Sequence, residues 1–325
     1  MVRYCRICGN EQGNRIHQTR EMMFGTRDTF EYLECGQCGT LQIVDIPDLS
    51  LYYPRDYYSL DESTNIEIAK NIRRRVAAKY IGKQLLYGNS MLGRWLVAKR
   101  PHLPDQFPLS LREPILNLNF HSRILDFGCG RGGLLQTLYY FGFQNLTGAD
   151  AFIDDDLSYS TGVVVLKRPL AELEPDFDLI MFNHSFEHLP NPRESFLHLQ
   201  RLLAPDGIAL IRIPIVNYAW EKYDVNWVQL DAPRHLFLYT ERAFLRLAEE
   251  AGFIVEKVAY DSGAFQFFAS EQYLKDIPLL DPVAYRGVAS ESIFTESQIE
   301  EWESLAARLN AEGRGDQACF YLRKA

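Results

Sequence analysis

The sequence predicts an α/β protein with a doubly wound, mostly parallel β-sheet, preceded by a small cysteine-rich module. Three observations lead to this prediction. From Ser122 onward, short apolar segments alternate with segments of helical periodicity. A glycine-rich turn follows the first of those apolar segments. Four of the six cysteines lie within the first 38 residues, far from the predicted sheet.

The composition limits the class of protein. The chain has 325 residues, of which 47% are hydrophobic and 24% are charged, so wholesale disorder is excluded. The net charge of −9 disfavours a generic nucleic-acid binder. No run of eighteen uncharged apolar residues occurs, and the N-terminus lacks the apolar segment of a signal peptide. We therefore expect a cytoplasmic protein without a transmembrane helix.

The N-terminal cysteines form two CxxC pairs, Cys5 with Cys8 and Cys35 with Cys38. Each CxxC turn presents two thiolates at a spacing that suits one tetrahedral Zn²⁺, and two turns complete a four-thiolate site. Disulfides are not expected without a secretory signal. Four thiolates leave no open coordination position, so the zinc is expected to be structural rather than catalytic.

The composition also suggests domain boundaries. We predict a zinc-binding module over residues 1–60 and a basic helical cap or linker over residues 61–118. The sheet domain is predicted over residues 119–325, with an insertion at about 262–312. The proline-rich stretch after residue 100 marks the linker.

The predicted cap carries nine basic residues and no acidic residue between Ile68 and Pro104. Ile72, Val76 and Tyr80, followed by Ile81 and Leu85, recur at helical spacing and predict one or two amphipathic helices. The basic side chains fit either a solvated helix face or a dock for an anionic carrier. Such a carrier could be a nucleotide diphosphate, a lipid-linked pyrophosphate or a membrane surface.

The elements of the sheet domain follow in order from their boundary signals. The predicted strands are residues 123–127, 145–150, 162–166, 177–183, 208–214, 253–260 and 318–322. The predicted helices are residues 134–141, 192–203, 240–251 and 298–309. Pro192 suits a first helical turn, Thr240 an N-cap and Gly252 a helix end. Residues 205–207 are predicted as a turn into the fifth strand.

The glycine-rich turn indicates a nucleotide-type ligand. Gly128, Gly130 and Gly133 follow the first strand, where the backbone and a helix N-terminus can approach a ligand. This spacing also satisfies the dinucleotide fingerprint, so the turn alone leaves an NAD-dependent oxidoreductase open. Asp150, 22 residues after Gly128, can bind both hydroxyls of a ribose. Asp126 favours a ligand with a cationic ammonium over a pyrophosphate, which its carboxylate would repel.

An ordered set of segments then resembles the class I S-adenosylmethionine-dependent methyltransferases over roughly residues 122–260. The segments are Asp126-x-Gly128-x-Gly130-x-Gly132, Asp150, Phe177-Asp178-Leu179-Ile180, Glu187-His188-Leu189-x-x-Pro192 and Leu203-x-Pro205-x-Gly207. The resemblance implies a seven-stranded Rossmann-like sheet whose last strand inserts antiparallel beside the fifth. It also implies S-adenosylmethionine as cofactor, held by residues that include the following: Gly128 and Gly130 against the cofactor, Asp150 on its ribose, Asn183 and His184 beside its methionine part, and Leu170 near its adenine.

A zinc module before this fold, with Arg234-His235-Leu236 ahead of a helix at Thr240, is similar to the bacterial sugar methyltransferases. In the deoxysugar C-methyltransferases of that group, a Tyr and a Glu precede the His. Ala232 and Arg234 stand in those places here, so we expect transfer to a hydroxyl rather than to carbon.

Transfer to a sugar hydroxyl needs a positioned base or a metal, because the hydroxyl does not ionise unaided near neutral pH. His235 is the first candidate base and His188 the second, while Asp231 could orient the imidazole of His235. Arg234 could hold an anionic group such as a phosphate. A local ion pair is the structural alternative for Asp231 and Arg234. Two aromatic side chains are candidate platforms for a sugar face, or else lid packing: Trp227 and Tyr239.

The sequence thus predicts methyl transfer to a hydroxyl of a sugar or glycoconjugate, in bacterial polysaccharide or secondary metabolite biosynthesis. The substrate would be a small-molecule or carrier-linked carbohydrate, with peripheral contact to a membrane or lipid-linked substrate as an option. Nucleic acid is not expected as a partner. The alternatives are a quinone or polyketide acceptor, C-methylation of a nucleotide-linked deoxysugar and, more distantly, an NAD-dependent oxidoreductase.

Overall fold

The computed structural model describes residues 4–54, 68–69, 71–100, 102–285, 287 and 293–325. The strands are β1 (Arg15–Arg20), β2 (Thr29–Glu34), β3 (Leu41–Ile43), β4 (Arg123–Phe127), β5 (Asn145–Ala149), β6 (Leu157–Ser158), β7 (Val164–Leu166), β8 (Phe177–Asn183), β9 (Leu203–Pro214), β10 (Phe237–Leu238), β11 (Phe253–Tyr260) and β12 (Gln317–Lys324). The helices are α1 (Ile72–Tyr87), α2 (Met91–Lys99), α3 (Gly133–Phe141), α4 (Pro192–Leu202), α5 (Tyr218–Tyr223), α6 (Glu241–Glu250), α7 (Phe265–Leu274) and α8 (Glu296–Ala311).

The large sheet is doubly wound and mixed. Among the described residues its order is β11-β12-β9-β8-β4-β5-β7-β6. β12 runs antiparallel between β9 and β11, which confirms the expected insertion of the last strand beside the fifth strand of the domain. The expectation of seven strands is wrong for the described chain, which has eight in this sheet, because the two-residue β6 adds an antiparallel edge beside β7.

The fifth strand of the sheet domain, β9, is longer than the sequence predicts. It begins at Leu203, which pairs with Phe177, so residues 205–207 continue the strand and do not form the expected turn. A register shift between Phe177 and Leu179 accommodates the extra residues. Gly207 permits this close pairing, because a Cβ there would lie 2.7 Å from the backbone oxygen of Phe177.

Two apolar layers cover the two faces of the sheet. Along β4, Ile124 packs into one layer with α1 and α3, whereas Leu125 packs into the other with α4 and α6. This alternation is the expected consequence of the two-residue period of a strand. The apolar layers cover the faces of the sheet but not the edge at which the parallel strands end.

The helical cap consists of α1 and α2. Of the five predicted apolar positions, Ile81 and Leu85 pack on the core as expected, but the other three are largely exposed. Ile72, Val76 and Tyr80 are 69%, 50% and 41% exposed. The buried face of α1 is made instead of small residues with Ile81, because α1 packs very closely on α3. A Cβ on Gly82 would lie 2.2 Å from the backbone oxygen of Phe141. Lys70 and Pro101 lie outside the described residues.

The N-terminal strands form a second sheet in the described chain, with the order β1-β2-β3-β10. β10 comes from the middle of the predicted sheet domain and pairs antiparallel with β3. The N-terminal core residues Cys5 and Tyr32 belong to the same apolar layer as Phe244 of α6. The domain boundaries at residues 60 and 118 stay predictions. The N-terminal segment is nevertheless joined to the sheet domain by the backbone pairing of β3 with β10.

The predicted insertion at 262–312 contains α7 and α8. Thr295 caps α8 in a reciprocal capping box with Gln298. Across the described residues, we find no helix with the length and apolarity that a membrane span requires.

Candidate active site

A cavity of about 360 Å³ lies at the carboxyl ends of β4, β5 and β8. Ligands of open α/β sheets bind in this position, and the volume suits a small organic ligand. Its lining residues are Tyr53, Asp126, Phe127, Gly128, Cys129, Leu134, Asp150, Ala151, Phe152, Pro169, Asn183, His184, Ser185, His188 and Leu189. Five of the predicted cofactor residues therefore meet at one cavity: Asp126, Gly128, Asp150, Asn183 and His184. Gly130 and Leu170 do not line it.

The glycine turn after β4 packs tightly against Ser185. Gly128 has a φ of +75°, and a Cβ there would lie 2.4 Å from the Cβ of Ser185. The Ser185 hydroxyl donates to the carbonyl oxygen of Phe127 at 2.6 Å. A side chain at Gly128 would therefore collide with the wall that fixes the end of β4.

Asp150 organises the rim of the cavity. Its two carboxylate oxygens accept hydrogen bonds from the backbone N–H groups of Gly130 and Phe152, each at 2.8 Å. Gly130 thus acts through Asp150 and does not face the cavity. Each carboxylate oxygen keeps a further lone pair, so the same side chain can accept hydrogen bonds from the hydroxyls of a ligand.

Asp126 is the most deeply placed acid of the cavity, with 3% exposure. Burial raises the pKa of its carboxyl to about 7, against the lowering effect of the Asn183 amide and with a further raising contribution from the Asp150 charge. The Asn183 Nδ2 lies 3.4 Å from the Asp126 Oδ1. A cationic group in the cavity would relieve this unfavourable burial by pairing with the carboxylate.

Next to these acids, His188 lines the cavity and His235 lies directly behind it. Their ring centroids are 4.8 Å apart, and His235 is 5% exposed. His188 Nδ1 lies 2.8 Å from the carbonyl oxygen of Arg234 and 3.1 Å from the Tyr53 hydroxyl. His235 Nδ1 lies 2.7 Å from the carbonyl oxygen of Gln229. Because a carbonyl only accepts, both Nδ1 atoms carry the proton, which leaves each Nε2 with a lone pair.

Glu187 is a fully buried carboxylate between the histidines. Within the described part of the chain neither of its oxygens has a hydrogen bond of normal length; its Oε1 is 3.4 Å from His184 Nδ1 and 3.8 Å from His235 Nε2. Burial by itself raises the pKa of Glu187, but His184, His188 and His235 together hold it below its usual range. Burial and the neighbouring His188 lower the pKa of His235 to about 4, so its imidazole is neutral at neutral pH.

Asp231 and Arg234 form part of the scaffold. The fully buried Arg234 guanidinium contacts Asp231 at 2.6 Å and Glu21 at 3.0 Å. Glu21 in turn accepts backbone N–H groups of the loop after β1. The Asp231 Oδ2 lies 3.8 Å from His235 Nε2, so Asp231 is near the imidazole that it was expected to orient. Arg234 does not line the cavity, and its position gives no support to phosphate binding.

The aromatic candidates are also internal. Trp227 and Tyr239 are fully buried, and neither lines the cavity. The Trp227 Nε1 donates to Asp316 at 3.0 Å. This geometry gives no support to sugar stacking on either ring.

Three other aromatic side chains that the sequence did not single out as site residues do line the cavity: Tyr53, Phe127 and Phe152. Tyr53 stacks on Phe152 with a centroid distance of 4.5 Å and an interplanar angle of 22°. Tyr53 belongs to the aromatic run at 51–58, of which residues 55–58 lie outside the description. This aromatic run is the sequence feature from which Tyr53 could have been identified. For Glu187, the corresponding feature is the Glu187-His188 pair that follows β8.

The four N-terminal cysteines converge as the spacing predicts. One sulfur from each lies within 4.8 Å of the others, with Sγ–Sγ distances of 3.6 Å for Cys5 and Cys38 and 3.5 Å for Cys8 and Cys35. A tetrahedral zinc thiolate site has Sγ–Sγ distances of about 3.8 Å, so the donor set fits Zn²⁺. The backbone N–H groups of Gln37 and Cys38 point at the Cys35 sulfur at 3.4 Å.

Part of the chain is similar in sequence to known methyltransferases. Residues 97–258 match the model of a methyltransferase domain. A ubiquinone biosynthesis O-methyltransferase of Rickettsia bellii is 39% identical over 97 residues, which cover 27% of this chain and 40% of that protein. A trans-aconitate 2-methyltransferase of Escherichia fergusonii is 30% identical over 112 residues, or 33% of this chain and 43% of that protein. The chain thus matches less than half the length of these curated relatives.

Among solved structures, the cyclopropane synthase MmaA2 from Mycobacterium tuberculosis is similar to this chain at 17% identity with a TM-score of 0.42. The match covers 78% of this chain and 99% of that protein. The sheet order and the family match define a Rossmann-like methyltransferase fold with a mixed sheet.

Proposed function

We propose that this chain, which carries a class I S-adenosylmethionine-dependent methyltransferase domain, transfers a methyl group to a hydroxyl of a sugar or glycoconjugate. The observation that carries the methyl-transfer part of this proposal is the pair of acids, Asp126 and Asp150, at one cavity. They stand at the ends of adjacent parallel strands, with the glycine turn between them in the chain. Two carboxylates suit a ligand with an ammonium group and a ribose, and they repel a pyrophosphate.

The residues present fit the methyl donor. Asp126 would pair with its ammonium, Asp150 would accept hydrogen bonds from its ribose hydroxyls, and Asn183 and His184 would lie beside its methionine part. Pro169 lines the cavity and Leu170 does not, so Pro169 would lie near the adenine in place of Leu170. When bound, S-adenosylmethionine supplies a methyl carbon activated by a sulfonium. The protein's own contribution is to hold the acceptor in line and to accept its proton.

Binding of S-adenosylmethionine is expected to weaken as the pH falls through the pKa of Asp126. That pKa is about 7 in the ligand-free protein, so the carboxyl must lose a proton before it pairs with the ammonium. We expect roughly five- to tenfold lower affinity at about pH 6 than at about pH 7.5, measured by isothermal titration calorimetry.

The variant Asp126→Asn is the control for this pH dependence. Its affinity should be low and nearly independent of pH. Since the folded-state pKa lies above the unfolded value of about 3.9, the ligand-free wild type loses stability as the pH rises from about 4 towards 7. Asp126→Asn should therefore melt at a higher temperature than the wild type at about pH 8. A pH-independent wild-type affinity would contradict the assignment.

Within this proposal, His188 accepts the proton of the acceptor hydroxyl. It lines the cavity, its Nδ1–H is held by the Arg234 carbonyl, and its Nε2 keeps a lone pair. A carboxylate oxygen of Glu187 lies within 4.8 Å of a His188 ring nitrogen, so the site holds a negative charge close to this base. His235 is a poorer base, since its pKa of about 4 lies far below neutral pH and it does not line the cavity.

Replacing His188 by alanine is expected to lower kcat by about 10²- to 10⁴-fold, the usual contribution of a general base. The affinity for S-adenosylmethionine should stay within a few-fold of the wild type, because Asp126 and Asp150 remain. His198→Ala, on the outer part of α4, serves as the matched control and should keep full turnover. Wild-type turnover in His188→Ala would remove His188 from the mechanism.

The same cluster offers a second way to activate a hydroxyl. Glu187, His188 and His235 each place one ligand-type atom within 4.8 Å of the others, so the set could also hold a divalent cation. The test is brief treatment with EDTA that leaves the zinc bound. If turnover is lost and a divalent cation restores it, a metal ion rather than His188 activates the hydroxyl.

The acceptor assignment is tested with a panel of hydroxyl compounds. The zinc-type cysteine cluster and the Arg234-His235-Leu236 segment support a sugar, whereas the Rickettsia relative supports oxygen as the methylated atom. The stacked pair Tyr53 and Phe152 offers an aromatic wall to either a sugar face or a quinol ring. Labelled methyl transfer to nucleotide-linked sugars is the expected result. Transfer to quinols alone would establish the alternative acceptor.

A further inference from the structure

Helices α1 and α2 present large apolar side chains to solvent. We call these side chains, with the basic residues among them, the hairpin surface. Its apolar members are Ile72, Val76, Tyr80, Tyr87, Met91, Leu92 and Trp95. Met91 is 88% exposed and Trp95 is 56% exposed. A cluster of this kind is uncommon on a surface that meets water alone and marks an interaction surface.

The helices are held in place mainly by side chains other than these, although Tyr87 also packs on Phe120. The opposite face of α1 carries Ala77, Ala78 and Ile81, which are all at most 4% exposed. α2 is anchored through Gly93, where a Cβ would lie 2.2 Å from the backbone oxygen of Tyr80. Both helices are thus packed by their inner faces, while Met91 and Trp95 leave more than half of their surface exposed to water.

The positions of the exposed residues make continuous stripes. Ile72, Val76 and Tyr80 are spaced by four residues along α1, and Met91 and Trp95 have the same spacing on α2. The close contact at Gly93 sets α2 beside the second half of α1. The two stripes therefore belong to one helical hairpin.

Charge identifies the kind of partner. Between residues 68 and 104 the chain has nine basic residues and no acidic residue, although its net charge is −9. Lys83, Arg94 and Lys99 are exposed, and none forms an ion pair with a described residue. A second copy of this surface would oppose like charges. A nucleic acid could stack on Trp95 but would make no use of the exposed Met91 and Leu92. Cations around exposed Trp, Met and Leu are the composition of an interfacial helix on anionic lipid.

A groove on this surface fits a phosphate-bearing headgroup. It has a volume of about 320 Å³ and lies between the start of α1 and the end of α3. Its lining combines two cations, hydroxyls and apolar side chains: Ile72, Arg75, Val76, Lys79, Tyr139, Tyr140, Ser160 and Thr161. The Arg75 Nε donates to the Ala69 carbonyl oxygen at 2.8 Å, and the guanidinium lies 5.5 Å from the Tyr140 ring centroid. These contacts hold the cation at the edge of the groove.

We propose that the hairpin surface docks the protein on an anionic lipid bilayer, with Met91 and Trp95 in the headgroup region and the basic residues on the lipid phosphates. The proposal goes beyond methyl transfer and does not depend on it, because docking needs neither the cofactor cavity nor an acceptor.

The test is co-sedimentation of the full chain with vesicles of phosphatidylglycerol and phosphatidylcholine, against vesicles of phosphatidylcholine alone. We expect binding to the mixed vesicles that weakens with added salt, and little binding to the neutral ones. The Trp95 side chain should enter a less polar environment in the bound state, seen as a blue shift of fluorescence. Bilayer affinity should fall about fivefold for each cation removed, hence about 25-fold for the double variant Arg94→Gln with Lys99→Gln.

The paired variant Met91→Ser with Trp95→Ser should bind mixed vesicles at least tenfold more weakly. Leu197→Ser is its matched control, since Leu197 is 66% exposed on α4, across the sheet from α1. All variants should melt like the wild type, because the changed side chains are exposed. Equal binding to neutral and anionic vesicles, no vesicle binding, or a dimer in sedimentation that Trp95→Ser dissolves would each overturn the proposal. The last result would assign the surface to a second copy of the chain.

Discussion

Asp150→Ala is expected to weaken S-adenosylmethionine binding by about 100-fold or more. The carboxylate holds the N–H groups of Gly130 and Phe152 at 2.8 Å and is placed to accept hydrogen bonds from the ribose. Each hydrogen bond to a charged group contributes about 1.5–3 kcal/mol, so the loss of two corresponds to at least that factor. Isothermal titration calorimetry with S-adenosylmethionine measures the change.

Asp155→Ala is the control for this variant. Asp155 is an exposed acid five residues further along the same loop and does not line the cavity. Its replacement removes the same charge and should leave the affinity within about twofold, since exposed charges are screened. If Asp150→Ala kept wild-type affinity, the ribose would have to bind elsewhere and the donor placement would be wrong.

Cys35→Ser is expected to abolish zinc binding and to lower the Tm by roughly 10 °C or more. The wild type should contain one zinc per chain by elemental analysis. The effect should reach the cavity, because the N-terminal segment supports residues next to it. The Tyr32 hydroxyl donates to the His235 carbonyl at 2.7 Å, and Glu21 pairs with Arg234. Turnover should therefore fall together with the zinc content.

Cys129→Ser separates this effect from the general loss of a thiol. Cys129 lines the cavity and is distant in sequence from the four clustered cysteines. The variant should keep one zinc per chain. A wild-type protein without zinc, or a Cys35→Ser variant with unchanged Tm, would show that the cysteine cluster is not a structural metal centre.

The strand and helix pattern of the sheet domain was predictable because local signals agree with the global fold there. The strand at 177–183 has the predicted limits, and Thr240 caps α6 through its side chain as expected. The prediction failed where packing between elements decides. α1 buries Ala77 and Gly82 because it packs closely on α3. A prediction from the periodicity of one sequence assigns the buried face to large apolar residues, so it missed a face made of small ones.

For the candidate site, too, residues placed by local pattern were predictable and residues placed by long-range packing were not. Asp126, Gly128 and Asp150 follow predicted strand ends, so the topology brings them together. Arg234 was a candidate for an anionic substrate group, with a local ion pair as the alternative, and the ion pair with Asp231 is present. Arg234 is also buried against Glu21, a residue 213 positions away that no local pattern connects to it. Tyr53 reaches the cavity from the N-terminal segment by the same kind of long-range packing. Such contacts depend on how the two sheets pack against each other. Short sequence patterns do not show that packing.

The most direct test of the central claim is titration of the wild-type chain with S-adenosylmethionine and, separately, with NAD. The acids at the ends of β4 and β5 predict saturable binding of one S-adenosylmethionine per chain and no heat of binding with NAD. Binding of NAD in the absence of S-adenosylmethionine binding would contradict the account.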